Sequence, residues 1–176
     1  MMALAVKRVT RARFVFDMRG FWADERVDGG IWVKGSLRYR FFKRVEQRLF
    51  ARLGVFVGPF GLAAVEGIAS EAGMDPLGSI DRLVDRSLVT SVPSSDEPAL
   101  RLLGPMRDFA MDALRGSGEE AVIRERHATY HLELLRGLAD ALDSPDDLAA
   151  IATIEGAETE LRAALDWALR SGATVL

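Results

Sequence analysis

The sequence predicts a mainly α protein, a winged helix followed by an antiparallel helical hairpin, and three observations carry that expectation. Amphipathic segments of helical period succeed one another from Val45 onward, a polar turn bracketed by Pro93 and Pro98 separates two short extended runs, and two long segments with apolar stripes fill the C-terminal third. The chain accordingly divides into a poorly defined basic segment at 1–42, a winged-helix domain at 43–116 and a helical hairpin at 119–176.

The elements follow from local chemistry. Residues 1–37 hold short apolar runs without a sustained period; 13–18 read as a candidate strand and Gly29-Gly30 as a turn. From Val45, the residues Leu49, Phe50, Leu53 and Phe56 recur at helical spacing with Glu46, Gln47, Arg48 and Arg52 between them, which predicts a first amphipathic helix. Gly58, Pro59 and Gly61 interrupt it, and 62–72 predicts a second helix with Leu62, Val65, Ile68 and Ala69 on one side, closed by Gly73. Asp75 and Pro76 form a helix start, a side-chain acceptor at the cap and a proline where its missing N–H costs nothing. The third helix runs to about Leu88 with Leu77, Ile80, Leu83, Val84 and Leu88 as its stripe and Asp81, Arg82, Asp85 and Arg86 facing away. Helices two and three make a helix-turn-helix candidate.

Two extended runs at 89–92 and 99–103 predict a β-hairpin, the wing, with Ser94, Ser95, Asp96 and Glu97 in its turn. Pro105 starts a fourth helix whose expected buried face is Met106, Phe109, Ala110, Ala113 and Leu114, up to the Gly116-Ser117-Gly118 break. The next helix carries Val122, Ile123, Tyr130, Leu134, Leu135, Leu138 and Leu142. Ser144-Pro145 punctuates it, and the last helix, about 147–170, bears Leu148, Ile151, Ile154, Leu161, Leu165, Ala168 and Leu169 before Gly172. These two form a hairpin of the kind that builds helical solenoids.

Composition narrows the function. The 176 residues, 49% hydrophobic and 28% charged, suit a globular chain able to bury one ordinary core or two small ones. Cysteine is absent, which excludes disulfides, thiolate metal sites and a cysteine nucleophile. No apolar run reaches the roughly 18 to 20 residues of a membrane span. Lys7, Arg8, Arg11 and Arg13 follow the apolar opening instead of preceding it, the reverse of a secretory signal, so the chain reads as cytoplasmic. The net charge of -3 hides an asymmetry: residues 1–53 hold 13 Lys and Arg against 5 Asp and Glu. That basic segment interleaves its charges with aromatics in no period, and a nucleic-acid arm is the less favoured reading of it.

Motifs for chemistry are missing. No Walker or dinucleotide fingerprint is present, the serines lack a nucleophile elbow, and the Glu119-Glu120 and Asp146-Asp147 pairs stand at helix starts, where the macrodipole favours acids. His127 and His131 lie i, i+4 on one helix face, but Ala128 sits where a zinc-protease helix needs glutamate and no third ligand is evident. They read as a surface pair, with no metal expected. Trp167 beside Leu165, Ala168 and Leu169 reads as packing. The helix-turn-helix invites a DNA-binding expectation, but Asp81 and Asp85 cancel Arg82 and Arg86, and Asp96 and Glu97 put acids where a wing would meet phosphate.

Residues 45–172 resemble the segment that follows the nucleotide-binding domain in bacterial STAND ATPase transcriptional regulators of the AfsR-like and LuxR-like kind. The resemblance rests on Glu46 through Leu53, Val55-Phe56, Gly58-Pro59-Phe60, Leu83 through Val89, Leu102-Leu103, and Met106 through Ala110. Arg124 through Ala128 and Leu161 through Leu169 complete it. Gly104-Pro105 and Glu160 depart from it, the latter replacing the asparagine usual before Leu161-Arg162, and 1–42 does not resemble what should precede Val45. That mismatch raises the expectation of a truncated gene with an unrelated opening, its first 37 residues protease-sensitive.

The resemblance implies a regulatory adaptor: a winged helix set against an ATPase module and a TPR-like hairpin that senses ligands or partners. The expected function is therefore a non-enzymatic regulatory and protein-interaction module that lacks its ATPase domain and needs no cofactor. Its partner would be a protein, a second copy or an ATPase module, with DNA disfavoured; the alternative is a DNA-binding winged helix-turn-helix regulator. The candidate interaction surface is Asp81, Arg82, Asp85 and Arg86 together with Arg107, Arg162 and Trp167.

Overall fold

The computed structural model describes residues 37–93, 99–139 and 147–172, with side chains from Arg44 onward. The basic segment at 1–36, the tip of the wing at 94–98 and the Ser144-Pro145 break lie outside the described residues. Backbone contacts divide the chain into Met1–Lys43 and Arg44–Leu176, and the wing and the helical hairpin belong to the second unit.

The fold is mainly helical with one small antiparallel sheet, as a winged helix followed by a helical hairpin requires. Helix α1 (Leu37–Leu53) starts ahead of the Val45 at which its apolar period becomes legible, and it buries Leu49, Phe50 and Leu53. Val55 and Phe56 continue the same core past the helix end. Gly54 stands at a close crossing: a Cβ there would come within 2.6 Å of the Met111 amide nitrogen, so the chain can pass only because the side chain is absent.

The second helix is shorter than its stripe suggests. One α-turn, α2 (Leu62–Ala64), passes into a π-helix (Val65–Ala69), and the Ser70 amide closes it by donating to the Val65 carbonyl at 3.0 Å. Residues 70–74 then form a turn with Gly73 at φ +83°, in place of the helix expected to reach Ala72. Helix α3 (Pro76–Asp85) begins as the sequence indicates, the Asp75 carboxylate accepting from the Gly78 amide at 3.0 Å. It ends in a Schellman motif: Leu88 N donates to Leu83 O, Ser87 N donates to Val84 O, and Ser87 takes the left-handed position with φ +58°.

Strands β1 (Val89–Val92) and β2 (Ala99–Leu102) pair antiparallel with Val89 opposite Leu102 and Val92 opposite Ala99. Val89, Leu100 and Leu102 are buried on one face, which exposed Ser91 continues toward the tip, while the paired Thr90 and Arg101 take the other face, the alternation of a half-buried sheet. Phe60 extends the sheet by exchanging two 2.8 Å backbone hydrogen bonds with Leu100, which places the 57–60 turn against the wing.

Helix α4 (Gly104–Ser117) buries Met106, Ala110, Met111 and Leu114. Met111 thus takes the place expected of Phe109 and Ala113, both exposed, although the Phe109 ring still approaches Phe50 at 6.1 Å. Gly118, at φ +76°, ends α4 in the left-handed position. Helices α5 (Glu120–Ala139) and α6 (Asp147–Ser171) then pack on each other, and α5 also packs on the π-helix.

The seam between α5 and α6 differs from the one the leucine stripes predict. Of the described residues α5 buries Ile123, His127, Ala128 and His131 and α6 buries Ala150, Glu160 and Ala164, with His127 meeting Glu160 across the pair, while Leu148, Ile151, Leu165 and Leu169 are exposed. Small residues win the interface because they let two helices approach closely, and the leucines are left on the far side. Among the described residues, no helix is long and apolar enough to cross a membrane.

Candidate functional site

Among the described residues, three buried polar clusters organise the unit, each centred on a carboxylate or guanidinium drawn into the core. The first is Glu46, 1% exposed, at the position that precedes Leu49 and Phe50 by one helical turn. Its Oε1 accepts from Arg82 Nε at 2.8 Å and its Oε2 from Arg86 Nη1 at 3.5 Å, while Arg82 Nη2 also donates to Ser79 Oγ at 2.9 Å. The two arginines expected to point away from α3 therefore reach around it to α1, because a buried carboxylate must be paired. Asp81 and Asp85 remain exposed, leaving acid outermost on this helix.

The second cluster ties the end of α1 to the π-helix and to the start of α5. Arg52 donates through Nη1 to Ala69 O at 3.0 Å, through Nη2 to Glu71 at 2.9 Å and through Nε to Glu119 at 3.0 Å; Arg48 reaches both acids as well. Burial alone would lower the Arg52 pKa, and the hydrogen bonds and charges of Glu119 and Glu71 reverse that, raising it above its ordinary value. The Arg52 hydrogen bond holds the Glu119 carboxyl below the usual carboxylate range, against burial and with further help from Arg48.

The third cluster is the one the sequence least foreshadows. His127 and His131, expected on the surface, are both buried, 3% and 4% exposed, and Glu160 of α6 is buried with them at 4%. The stripe starting at Ile123 turns them inward, since His127 and His131 continue it at i+4 and i+8. Glu160 Oε2 lies 2.8 Å from His127 Nε2, while Oε1 accepts from the Val57 and Gly58 amides at 2.7 and 2.5 Å. The carboxylate thereby pins α6 to the turn after α1. Phe56 stacks on Phe60 at 4.2 Å and meets His127 edge-on at 5.8 Å; the two imidazoles lie 4.4 Å apart. Tyr130 is 5.3 Å from His131, and burial pushes its phenol pKa up.

His131 Nδ1 is buried without a hydrogen-bond partner. Burial first, and the neighbouring His127 second, drive the His131 pKa down to about 4, with Glu160 opposing them. A histidine depressed from 6.5 in this way stays neutral when folded but binds a proton once unfolded. Its contribution to stability is complete above about pH 6.5 and is lost as pH falls towards 4, on the order of 3 kcal/mol in total. Urea unfolding in the presence of a chelator should show it: the stability of the chain relative to a His131→Phe variant falls between pH 7 and pH 4.5. A constant difference across that range would place His131 in solvent.

The remaining residues of the expected interaction surface do not come together. Arg107 Nε donates to Phe56 O at 2.5 Å, a structural contact, and Arg162 makes an exposed i, i+4 pair with Glu158 at 2.7 Å. Trp167 is half-buried on α6 and lines an open hollow with Glu120, Ala121, Arg124 and Arg170. Sequence reasoning missed Glu46, Glu119 and Glu160 as partners. For Glu160 the available signal was its place on the small-residue seam, three residues after Ala157 and four before Ala164.

Comparison with known proteins gives relatives for most of this unit. The chain is 39% identical over 133 residues to HTH-type transcriptional regulators, so named provisionally, of Mycobacterium tuberculosis and Mycobacterium bovis. The match takes in 72% of this chain and 14% of each relative, so the chain spans about a seventh of their length. No protein-family model matches the chain. No solved structure matches it either.

Proposed function

We propose that this chain is a non-enzymatic module of a transcription regulator, the winged-helix and first sensor-repeat part of a STAND-type protein, and that it works by protein contact. The observation that carries the reading is the apolar face of α6: Leu148, Leu165 and Leu169 are 77%, 60% and 73% exposed. Helical repeats bury such a face against a further repeat or a partner. The named regulators, of which the shared stretch is 14%, are large enough to offer one.

The charge on α3 supports protein over DNA. Binding a duplex draws most of its non-specific affinity from cations set against phosphate. Here the arginines of α3 engage Glu46, and Asp81 and Asp85 stand outermost. DNA binding is the second reading, favoured by the helix-turn-helix in the relatives' names. That name describes proteins of which this chain covers 14%, so the match does not assign the DNA-reading element to α3.

A paired experiment separates the two. An immobilised ATPase module from a STAND-type regulator is expected to capture the chain, and a Leu165→Glu/Leu169→Glu variant is expected to lose capture at least tenfold while keeping its circular dichroism. Duplex DNA in the same buffer is expected to bind weakly if at all. Failure of capture, with tight and salt-dependent binding of duplex that falls on neutralising Arg82 and Arg86, would replace the protein reading by the DNA reading.

A further inference from the structure

We propose that His127, His131 and Glu160 form a binding site for a divalent transition metal, with zinc the best fit, at the seam between α5 and α6. One donor atom from each of the three lies within 4.8 Å of the other two, and all three side chains are buried. Two imidazoles spaced i, i+4 on one helix and a carboxylate from its antiparallel neighbour make a three-ligand set of the kind that holds zinc with a fourth position open to water.

Several features make this more than a chance meeting of polar groups. His131 Nδ1 is an orphan, buried with no hydrogen-bond partner, and such a group costs about 1–3 kcal/mol unless something binds it. In the tautomer protonated at Nε2, Nδ1 offers a lone pair that a cation would satisfy. Glu160 is oriented in advance, since the Val57 and Gly58 amides take up Oε1 and leave Oε2 turned to His127. Outer hydrogen bonds that fix a ligating carboxylate are a regular part of metal sites. The wall of Phe56 and Phe60 beside His127 adds an apolar surround.

Ligation asks one pair of donors to part slightly and the wider ones, up to 4.8 Å apart, to close by roughly an ångström. His127 Nε2 and Glu160 Oε2 are 2.8 Å apart, and two ligands about 2.0 to 2.2 Å from a tetrahedral ion stand roughly 3.3 Å from each other. The ion replaces the proton shared between them, that proton leaves to solvent, and no other bond is made or broken. Imidazole nitrogen with carboxylate oxygen suits zinc better than calcium or magnesium, which take oxygen alone. The site is independent of the regulatory reading above, because it depends on the α5–α6 seam and not on the open face of α6.

Full-length chain, stripped with a chelator and titrated with zinc chloride against a chromophoric competitor, is expected to bind one ion per chain. Cobalt is expected to give the visible d–d bands of a tetrahedral site. Glu160 also secures the fold, so the deciding variant is His131→Phe, which keeps an aromatic ring of somewhat larger size, removes the orphan nitrogen and should fold by circular dichroism. It is expected to weaken zinc at least about tenfold and to abolish the cobalt bands. Equal zinc binding by this variant and the parent would place the ion at the surface, and no stoichiometric binding by the parent would leave the cluster as a hydrogen-bonded group; either result overturns the proposal.

Discussion

Replacing Glu160 by alanine is expected to destabilise the chain by about 3–5 kcal/mol, since a buried hydrogen-bonding group left without its partner costs about 1–3 kcal/mol and several are left at once. Three groups lose their acceptor together: the Val57 amide, the Gly58 amide and His127 Nε2. Water does not readily replace it, since Glu160 and His127 are buried and Gly58 with them. The contact spans 102 and 103 residues of chain, so its loss also frees α6 from the turn that follows α1. Glu160→Gln keeps an oxygen for the two amides and is expected to be milder. Urea unfolding of the metal-free chain measures both, and a cost below about 1 kcal/mol for Glu160→Ala would contradict the observed placement of this carboxylate.

Phe56→Ala is the second large effect, expected at about 3–5 kcal/mol because an aromatic ring is removed from a site that cannot collapse. Phe56 is 1% exposed, stacked on Phe60 with 16° between the planes, and set edge-on against His127 at 68°. Its carbonyl accepts from Arg107, which keeps the backbone in place and so preserves the cavity once the ring has gone. Because Phe56 touches His127 and His127 holds Glu160, the two substitutions should not add. A double-mutant cycle is expected to show coupling of about 0.5–3 kcal/mol. Strict additivity would mean that the aromatic wall and the carboxylate act independently.

Much of the chain could be read in one dimension. Asp75-Pro76 opens α3, the run 89–92 pairs with 99–102, Gly118 ends α4, and the two long C-terminal helices lie against each other. Each is governed by interactions among residues within a few positions of one another, or by a turn that brings neighbours together, and so leaves a mark in spacing and composition. The early end of the second helix at Ala69 was harder to see, since Leu62 to Ala69 keeps an α-like stripe while the hydrogen bonds shift to the π register.

The polar interior was not legible, and the reason is physical. A periodic pattern assigns apolar residues to the inside and charged ones to the outside, whereas burial of Glu46, Arg52, His127, His131 and Glu160 depends on partners brought in from other elements. Glu46 meets Arg82 and Arg86 across 36 and 40 positions, and Glu160 meets His127 across 33. Which leucines of α6 are covered was likewise settled by the alanine seam, which brings the helices together and turns Leu165 and Leu169 to solvent. Local order in this protein is thus written in neighbouring residues. The pairing of its buried charges, and with it the chemistry open to the α5–α6 seam, exists only once distant segments share a low-dielectric core in which no charge can stay alone.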